Sequence, residues 1–183
     1  NGALEKAGGK AEQVEEIVAG HVLQAGCKGN SARQVALGTG CKVESVALTV
    51  TQLCPASMRA TEIASQQILL GKNDIELVAG YESMSNCPYM SIKARQGLRM
   101  GDQPFVDHML HDGLIDAFNN YHMGITAENL AEQYNVSRQE QDEWALMSHQ
   151  RACAAIKEGK FKDEIAPVAV KTRKGEQIIE RDE

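Results

Sequence analysis

Aromatic residues and long apolar runs are the scarcest features of this chain. Phe, Trp and Tyr together make up only 4% of its 183 residues. No run approaches the roughly 18 consecutive apolar residues that a membrane-spanning helix needs, so we expect no membrane partner. An excess of basic charge is missing too, because the formal net charge at pH 7 is −6. That balance argues against nucleic-acid binding, although local groups can still hold a phosphorylated small ligand.

Paired cysteines are also missing. The five cysteines are odd in number, show no CxxC spacing and have no secretory segment to accompany them. This usage is typical of free thiols in a reducing compartment rather than of a disulfide framework or a zinc site, so we expect a cytoplasmic protein. The chain begins at Asn1 without an initiator methionine, and its last residues carry no signal that ends a helix or strand. We therefore expect a segment of a longer protein.

The chain does contain enough apolar residues for a core, at 43% of the sequence, together with 16 glycines. With so few aromatic residues, this composition favours a tightly packed α/β protein over a β-sandwich. The apolar patterns predict strands that alternate with helices, an order that builds a parallel sheet with ligands at the carboxyl ends of its strands. The strands are expected at residues 17–23, 46–53 and 75–79, and the helices at residues 31–39, 55–70, 126–134 and 137–159.

Some of these elements carry more detailed predictions. The strand at 46–53 is a continuous run of apolar residues and threonine, a pattern typical of a strand covered on both faces. The last helix opens on a capping box, Ser137 with Glu140 three residues later. Trp144 shares one face of that helix with small and apolar residues, so we expect it in the core rather than in a ligand site. Residues 91–106 lack clear periodicity and are predicted to form a long loop.

Cys54 is the most informative residue of the chain. It follows an apolar strand-like run and precedes Pro55 and a helix, which places its thiol at a helix N-terminus. Unpaired backbone N–H groups and the positive end of the helix dipole favour the thiolate there, and a thiolate is the nucleophile of covalent acyl chemistry. The alternative is a small buried hydrophobic residue, since free cysteines are among the most buried residues. The local pattern leaves both interpretations open.

Three histidines invite other interpretations. His108 and His111 lie between Asp107 and Asp112, a cluster that suggests a metal, but no further Cys or His stands nearby at ligand spacing. Because metal sites need a full ligand set, we expect no metal there. His122 stands alone, and its neighbours leave a hydrogen-bonded structural role and a ligand contact equally open.

Several segments together resemble one family, the thiolases. Residues 51–60 (TQLCPASMRA) resemble the thiolase nucleophile segment N-x-x-C-x-S-G-x-x-A. Residues 78–89 (VAGYESMSNCPY) resemble A-G-G-x-E-[SN]-M-S-x-x-P-Y, and residues 112–129 resemble D-G-L…Y-H-M-G-x-x-A-E-N. The chain is most similar to the short-chain, biosynthetic branch of the family. Further matches extend the resemblance over nearly the whole chain in one register, at residues 21–26, 32–34, 137–142 and 159–168.

The resemblance implies an α/β protein with the layered αβαβα thiolase fold, built from two similar halves with a loop domain inserted in the first. Residues 1–86 would belong to the first half, incomplete at its start, and residues 87–183 to the loop domain, incomplete at its end. The second half of a thiolase supplies a further Cys and a His as acid/base groups, and no segment here matches theirs. We therefore expect this chain alone to be inactive, because acyl transfer needs such groups.

For the site, the resemblance implies that Cys54 is acylated by acetyl-CoA and that Leu114, His122 and Met123 line the coenzyme A site. The implied reaction is the condensation of two acetyl-CoA to acetoacetyl-CoA and the reverse thiolysis. Coenzyme A thioesters are the substrates, and no other cofactor is expected. The implied assembly is a homotetramer that pairs through the loop 91–103. The alternatives are a non-catalytic thiolase-like subunit and a longer-chain 3-ketoacyl-CoA thiolase.

The chain departs from the thiolase pattern around the nucleophile. Thr51 stands where Asn is usual, and Ser57 stands where a Gly is usual. Gly80 and Tyr81 stand where three residues, Gly-Gly-Met, are usual. Glycine at such places lets the backbone approach the substrate or adopt positive φ, so these departures bear on activity.

Overall fold

The computed structural model describes residues 1–181, so the last two residues of the expected 87–183 domain lie outside the described residues. The α-helices are α1 (Gly2–Lys6), α2 (Ser31–Thr39), α3 (Ala56–Leu69), α4 (Met123–Gln133) and α5 (Arg138–Lys157), with a π-helix at Met109–Leu114 and 3₁₀ turns at Ala11–Gln13, Met84–Asn86 and Ala94–Gln96. The strands are β1 (Glu16–Gly20), β2 (Val46–Val50), β3 (Glu76–Gly80), β4 (Tyr89–Met90), β5 (Val106–Asp107), β6 (Val168–Thr172) and β7 (Gly175–Ile179).

Contacts between residues divide the chain into two compact units. One consists of Asn1 and Ala3–Met123 and holds the main sheet. The other consists of Gly2 and the residues from Gly124 onward, and it holds α5 with the β6–β7 hairpin. The boundary expected between residues 86 and 87 separates two domains of a longer protein. The two compact units are defined instead by the contacts within this chain, so they do not test that boundary. That boundary therefore stays a prediction.

The first unit is organised around a parallel sheet with the strand order β2-β1-β3. In this register Gly20, at the end of the central strand β1, lies opposite Val50 of β2 and Gly80 of β3. The alternation of strand and helix along the chain thus produces the parallel sheet that the sequence predicts. Because the strands run in the same direction, the segments that follow them all start at one edge, the carboxyl edge.

Helices α2 and α3 cover opposite faces of the sheet because the residues of β1 alternate between those faces. Ile17 and Ala19 belong to the apolar cluster that α2 completes. Val18 points to the other face and packs with Ala60 and Ala64 of α3. These alanines are small, so α3 lies close to the sheet. All three β1 residues are fully buried, which makes β1 the centre of the core.

Strand β2 is more exposed than its sequence predicts. The apolar run at 46–53 predicts a strand covered on both faces, but Val46 is 60% exposed and Leu48 is 39% exposed. β2 stands at one end of the strand order, so the helices that cross the middle of the sheet cover it only in part. The strand also ends at Val50, before the apolar run does.

Helix α5 has its predicted start but not its predicted burial. The Ser137 side chain accepts a hydrogen bond from the Glu140 N–H, and the Glu140 carboxylate accepts one from the Ser137 N–H at 2.8 Å, which completes the capping box. Trp144, however, is 68% exposed, so the prediction that it lies in the core is wrong for this chain. The second unit holds too little other structure to cover a helix of 20 residues. Within residues 1–181, no helix is both long and apolar enough to cross a membrane.

Two carboxyl groups share one amide at the opposite edge of the sheet, where the strands begin. Asn73 Nδ2 donates to Glu16 Oε2 at 3.1 Å and to Glu76 Oε1 at 2.5 Å. Among the described residues, none makes a hydrogen bond to the buried second oxygen of Glu76. Burial and then repulsion from Glu16 and Glu15 raise the pKa of Glu76, and the Asn73 hydrogen bond only partly opposes this. The ionised form of Glu76 therefore destabilises the fold.

We expect Glu76→Gln to stabilise the protein at neutral pH and to lose this advantage in acid. A carboxyl group whose pKa is raised on folding stabilises the folded state while it is protonated, and that contribution is lost as the pH rises through the folded-state pKa. Glutamine stays neutral, so the gain in melting temperature over the parent should grow between about pH 4 and about pH 7. Thermal unfolding followed by circular dichroism measures this gain. The exposed Glu44→Gln is the matched control, and the same response from both variants would contradict the prediction.

Candidate functional site

Cys54 lies at the carboxyl edge of the sheet, in the turn between β2, which ends at Val50, and α3, which begins at Ala56. Its side chain is exposed, so the alternative of a small buried hydrophobic residue is wrong. Cys41, in contrast, is buried, and burial raises the pKa of its thiol. Cys54 therefore combines an accessible thiol with the edge of a parallel sheet where ligands usually bind.

The backbone on both sides of Cys54 is held in a defined turn. Leu53 has a φ of +55°, in the left-handed region that costs a residue other than glycine on the order of 1–3 kcal/mol. Its carbonyl oxygen accepts a hydrogen bond from the Ala56 N–H at 2.9 Å. Pro55 occupies the N-cap position of α3, and its ring has no acceptor that could cap the first N–H groups of the helix. The turn thus presents the thiol beside a helix end that favours negative charge.

A buried polar network lies at the same edge of the sheet. His21 directly follows β1 and is 4% exposed, and its Nδ1 lies 2.8 Å from Ser31 Oγ. Tyr81 directly follows β3 and donates its hydroxyl to the same Ser31 Oγ at 2.9 Å. The Ser31 hydroxyl thus joins the side chains that follow β1 and β3. The other ring nitrogen of His21, Nε2, lies 3.2 Å from Glu82 Oε1.

Glu82 ties the segment after β1 to the segment after β3. Its carboxylate oxygens accept hydrogen bonds from the N–H groups of Val22 at 3.0 Å and Leu23 at 2.9 Å. Hydrogen bonds to an ionised acceptor are stronger than those between neutral groups, so this carboxylate fixes the path of the chain beyond β1. Neither His21 nor Glu82 is among the site residues predicted from the sequence. The available signal was their place within family-like segments, at 21–26 and 78–89, where His21 directly follows β1 and Glu82 is the second residue after β3.

Leu114, His122 and Met123 are brought together at the two ends of one turn. Ile115, next to Leu114, forms an isolated antiparallel bridge with His122. Leu114 ends the π-helix and is half-buried, whereas His122 is exposed. Met123 begins α4 and is 41% exposed. The three residues are therefore neighbours within the first unit, on a different element from Cys54.

Asp116 holds this turn from the inside. Its carboxylate accepts hydrogen bonds from the N–H groups of Phe118 at 3.2 Å and Asn119 at 2.6 Å, and from the Asn119 side-chain amide at 2.8 Å. The hydrogen bonds from Asn119 and Phe118 keep the pKa of Asp116 below its usual range. Phe118 itself is 95% exposed. The carboxylate thus fixes the backbone of the turn while leaving the Phe118 ring in solvent.

The histidines of the 107–112 cluster serve the local structure. His108 Nδ1 lies 2.9 Å from Asp112 Oδ2, and its Nε2 accepts a hydrogen bond from the Ala25 N–H at 3.3 Å. His111 Nδ1 lies 2.5 Å from the other oxygen of Asp112. The hydrogen bonds from His111 and His108 keep the pKa of Asp112 low against the effect of burial. Across residues 1–181, no group of three or more His, Cys, Asp or Glu side chains is arranged to hold a metal ion.

The chain matches one family model and is similar in sequence to several known proteins. The family model described as "Thiolase, N-terminal domain" matches residues 1–183. An acetyl-CoA acetyltransferase of Chromobacterium violaceum is 49% identical over 175 residues, which cover 96% of this chain and 45% of that protein. A Staphylococcus aureus relative named "Probable acetyl-CoA acyltransferase" is 45% identical over 176 residues, again 96% of this chain and 45% of the relative.

A solved structure agrees with these sequence relatives. The acetyl-CoA acetyltransferase from Syntrophomonas wolfei superposes with a TM-score of 0.94 at 48% sequence identity. The match covers 99% of this chain and 45% of that one. The chain thus spans a little under half the length of the proteins that it matches.

Proposed function

The chain belongs to the thiolase family, and from that membership we propose that it is the nucleophile-bearing part of a longer acetyl-CoA acetyltransferase. The proposed reaction is the condensation of two acetyl-CoA to acetoacetyl-CoA and the reverse thiolysis. The observation that carries the proposal is the exposed thiol of Cys54, in a fixed turn at the start of α3. A thiol in that position can meet a thioester carbonyl without any rearrangement of the core.

In the first step, the Cys54 thiolate attacks the carbonyl carbon of acetyl-CoA. The bond between that carbon and the coenzyme A sulfur breaks, coenzyme A leaves and takes up a proton, and the acetyl group remains on Cys54 as a thioester. In the second step, a base removes a proton from the methyl group of another acetyl-CoA, and the resulting carbanion attacks the acetyl-Cys54 carbonyl. The bond to Cys54 breaks, which releases acetoacetyl-CoA and regenerates the thiolate. Thiolysis is the same sequence in reverse.

The acid/base groups for these proton transfers are proposed to lie in the part of the protein that this chain does not cover. The chain spans 45% of the Chromobacterium violaceum relative, which leaves ample length for them. We accordingly expect the 183-residue chain alone to show no turnover of acetoacetyl-CoA. Near-normal thiolysis by the isolated chain would contradict the proposal that the acid/base groups lie outside it.

His122 and Met123 are proposed to contact the pantetheine arm of coenzyme A, and Leu114 is proposed to line the coenzyme A site with them. Met123 supports this proposal because its side chain is flexible, polarisable and 41% exposed, which suits a flexible apolar chain. We expect Met123→Ala in the full-length protein to raise KM for acetyl-CoA about fivefold with kcat changed less than about twofold, the signature of lost uniform binding. Steady-state kinetics measures both constants. Phe118→Ala, which removes an exposed ring from the same turn, is the matched control and should leave KM unchanged.

The proposal extends to the cellular compartment, the substrates and the oligomeric state of the full-length protein. The full-length protein is proposed to work in the cytoplasm with coenzyme A thioesters as its substrates and with no metal or other cofactor.

The full-length protein is also proposed to form a homotetramer through the loop 91–103, whose basic residues are too few for a nucleic-acid surface. Deleting this loop should convert tetramers to dimers in light scattering while the fold is kept. An unchanged mass would mean that the loop is merely solvated.

The experiment that tests the proposed function is a thiolysis assay. Purified full-length protein is incubated with acetoacetyl-CoA and coenzyme A, and the loss of acetoacetyl-CoA absorbance is followed together with acetyl-CoA formation. The proposal predicts two acetyl-CoA for each acetoacetyl-CoA consumed. No reaction with acetoacetyl-CoA, together with turnover of a longer 3-ketoacyl-CoA, would favour the longer-chain thiolase instead. No reaction with either substrate would favour a non-catalytic thiolase-like subunit.

A further inference from the structure

Strands β1 and β3 end in a pair of glycines that lie side by side. Gly20 and Gly80 are register partners at the carboxyl edge of the sheet. The Tyr81 N–H donates to the Gly20 carbonyl at 3.3 Å, and the His21 N–H donates to the Val50 carbonyl at 3.0 Å. The backbone just after Gly20 is therefore hydrogen-bonded to β2, and Gly20 itself is hydrogen-bonded to the segment after β3. These bonds resist a shift of the backbone at the carboxyl edge.

The first turn of α3 lies directly on these glycines. A Cβ atom added to Gly20 would lie 2.7 Å from the carbonyl carbon of Ala56 and 2.8 Å from Ser57 Cα, both backbone atoms. A Cβ atom added to Gly80 would lie 2.9 Å from Ser57 Cβ and closer still to Ser57 Oγ. Real Cβ atoms essentially never make contacts shorter than 3.0 Å, so either addition forces something to move.

Helix α3 is fixed along the rest of its length. Its buried residues are Ala56, Ala60 and Ala64, which recur every four positions on the face toward the sheet. Ala60 and Ala64 pack against Val18 of the central strand. Because these side chains are so small, α3 already packs closely on the sheet and cannot move nearer to it or tilt. Strain from an added Cβ therefore falls on the first turn and on the segment before it, which contains Cys54 and Leu53 with its positive φ.

We propose that Gly20 and Gly80 are positioning residues for Cys54. By presenting no side chain to Ala56 and Ser57, they set how closely the start of α3, and Cys54 with it, approaches the carboxyl ends of β1 and β3. This inference rests on the proposed function for its kinetic consequence. Its structural part, the contact between position 80 and the Ser57 side chain, stands independently of any activity.

The two glycines differ in what blocks a side chain, and this difference makes the proposal testable. At Gly80 the obstacle is the Ser57 side chain: the hydroxyl can rotate away, but the Cβ contact must still open from 2.9 Å to the 3.4 Å of an ordinary contact. Ser57→Gly removes both obstructing atoms. At Gly20 the obstacle is backbone, which no substitution at position 57 removes. Ser57→Gly should therefore rescue Gly80→Ala but not Gly20→Ala.

The test uses full-length protein carrying Gly20→Ala, Gly80→Ala and Ser57→Gly, singly and in the two pairs with Ser57→Gly. A displacement of about 1 Å at a reacting group can lower the rate on the order of a hundredfold. We expect Gly80→Ala to lower kcat for thiolysis at least about tenfold with KM within about threefold, and Gly20→Ala to lower it about a hundredfold. Adding Ser57→Gly should bring Gly80→Ala back to within about threefold of the Ser57→Gly single variant. Gly38→Ala is the control, since it adds the same methyl group where no atom lies within 4 Å.

Urea unfolding of the same set separates this proposal from the proposed function. If the full-length protein has no thiolase activity, the midpoints alone still test the contact: Gly80→Ala should lower the midpoint, and Ser57→Gly should cancel most of that loss. If Gly20→Ala fails to fold, the Gly80→Ala and Ser57→Gly pair decides, because its obstacle is a side chain. A folded Gly80→Ala with unchanged kcat in an active protein, or a defect that Ser57→Gly does not relieve, would overturn the proposal.

Discussion

Replacing Cys54 by serine is expected to lower kcat for thiolysis by the full-length protein at least about a thousandfold, with little change in KM. The change replaces one sulfur atom by an oxygen atom and keeps the overall shape of the side chain. A serine hydroxyl is almost entirely protonated at neutral pH, so it cannot replace the thiolate as the attacking group. The substrate would still bind, because none of the three residues proposed to contact coenzyme A is altered. Steady-state kinetics with acetoacetyl-CoA and coenzyme A measures both effects.

Cys153→Ser is the matched control for this substitution. Cys153 is also an exposed free thiol, and it lies in the second half of α5 rather than at a helix start. Its replacement should leave kcat within about twofold, because exposure alone does not make a thiol catalytic. An equal loss of activity in both variants would show that free thiols matter for stability and not for chemistry. Full activity of Cys54→Ser would remove Cys54 from the mechanism.

Replacing Glu82 by alanine is expected to have the largest effect on stability, a loss of about 2–3 kcal/mol in the free energy of unfolding. The change leaves the N–H groups of Val22 and Leu23 without their shared acceptor. It also removes the group that faces Nε2 of the buried His21. The Glu82 side chain is 27% exposed, so water can replace part of what is lost, and the figure lies below the sum of three separate hydrogen bonds.

Glu82→Gln is the control that separates shape and charge. Glutamine keeps one acceptor oxygen in place but puts an amide NH₂ where the second oxygen was, so one backbone N–H meets a donor instead of an acceptor. We expect this variant to lose about 1–2 kcal/mol, less than the alanine variant. Urea denaturation of the two variants and the parent gives the order. Equal stability of all three proteins would mean that the carboxylate does not hold the chain after β1.

Local signals allowed α2 and α3 to be predicted closely. Helix α2 was expected at 31–39 and spans Ser31–Thr39. The Asn30 side chain accepts a hydrogen bond from the Arg33 N–H at its start, and Gly40, with a φ of +100°, ends it. Helix α3 was expected at 55–70 and spans Ala56–Leu69. Such caps and breakers act within a few residues, so the sequence alone displays them.

Strand ends were harder to predict because distant groups decide them. The strand expected at 17–23 ends at Gly20, and the N–H groups of Val22 and Leu23 turn instead to a carboxylate about sixty positions further along the chain. Periodicity cannot reveal such a partner. The exposure of Trp144 was missed for a similar reason, since an apolar face indicates a need for cover but not what supplies it.

The candidate site follows the same rule: the sequence predicted what local signals determine and missed what distant contacts determine. Cys54 stood out because a strand, a proline and a helix meet at it, and each of these is a local signal. The roles of Gly20, Gly80 and Ser57 depend on the approach of two strand ends to one helix turn. Only the folded chain brings those three positions together, so the sequence alone could show Ser57 as a departure from a pattern but not its contact with Gly80.

The most direct test of the proposed role of Cys54 is to find where acetyl-CoA leaves its acetyl group. Full-length protein is incubated with acetyl-CoA, quenched in acid to preserve the thioester, digested, and mapped by mass spectrometry. We expect one acetyl group, on the peptide that contains Cys54, and none on that peptide in Cys54→Ser. Acetylation of Cys87 or Cys153 instead, or no acetylated cysteine at all, would contradict the assignment of Cys54 as the nucleophile.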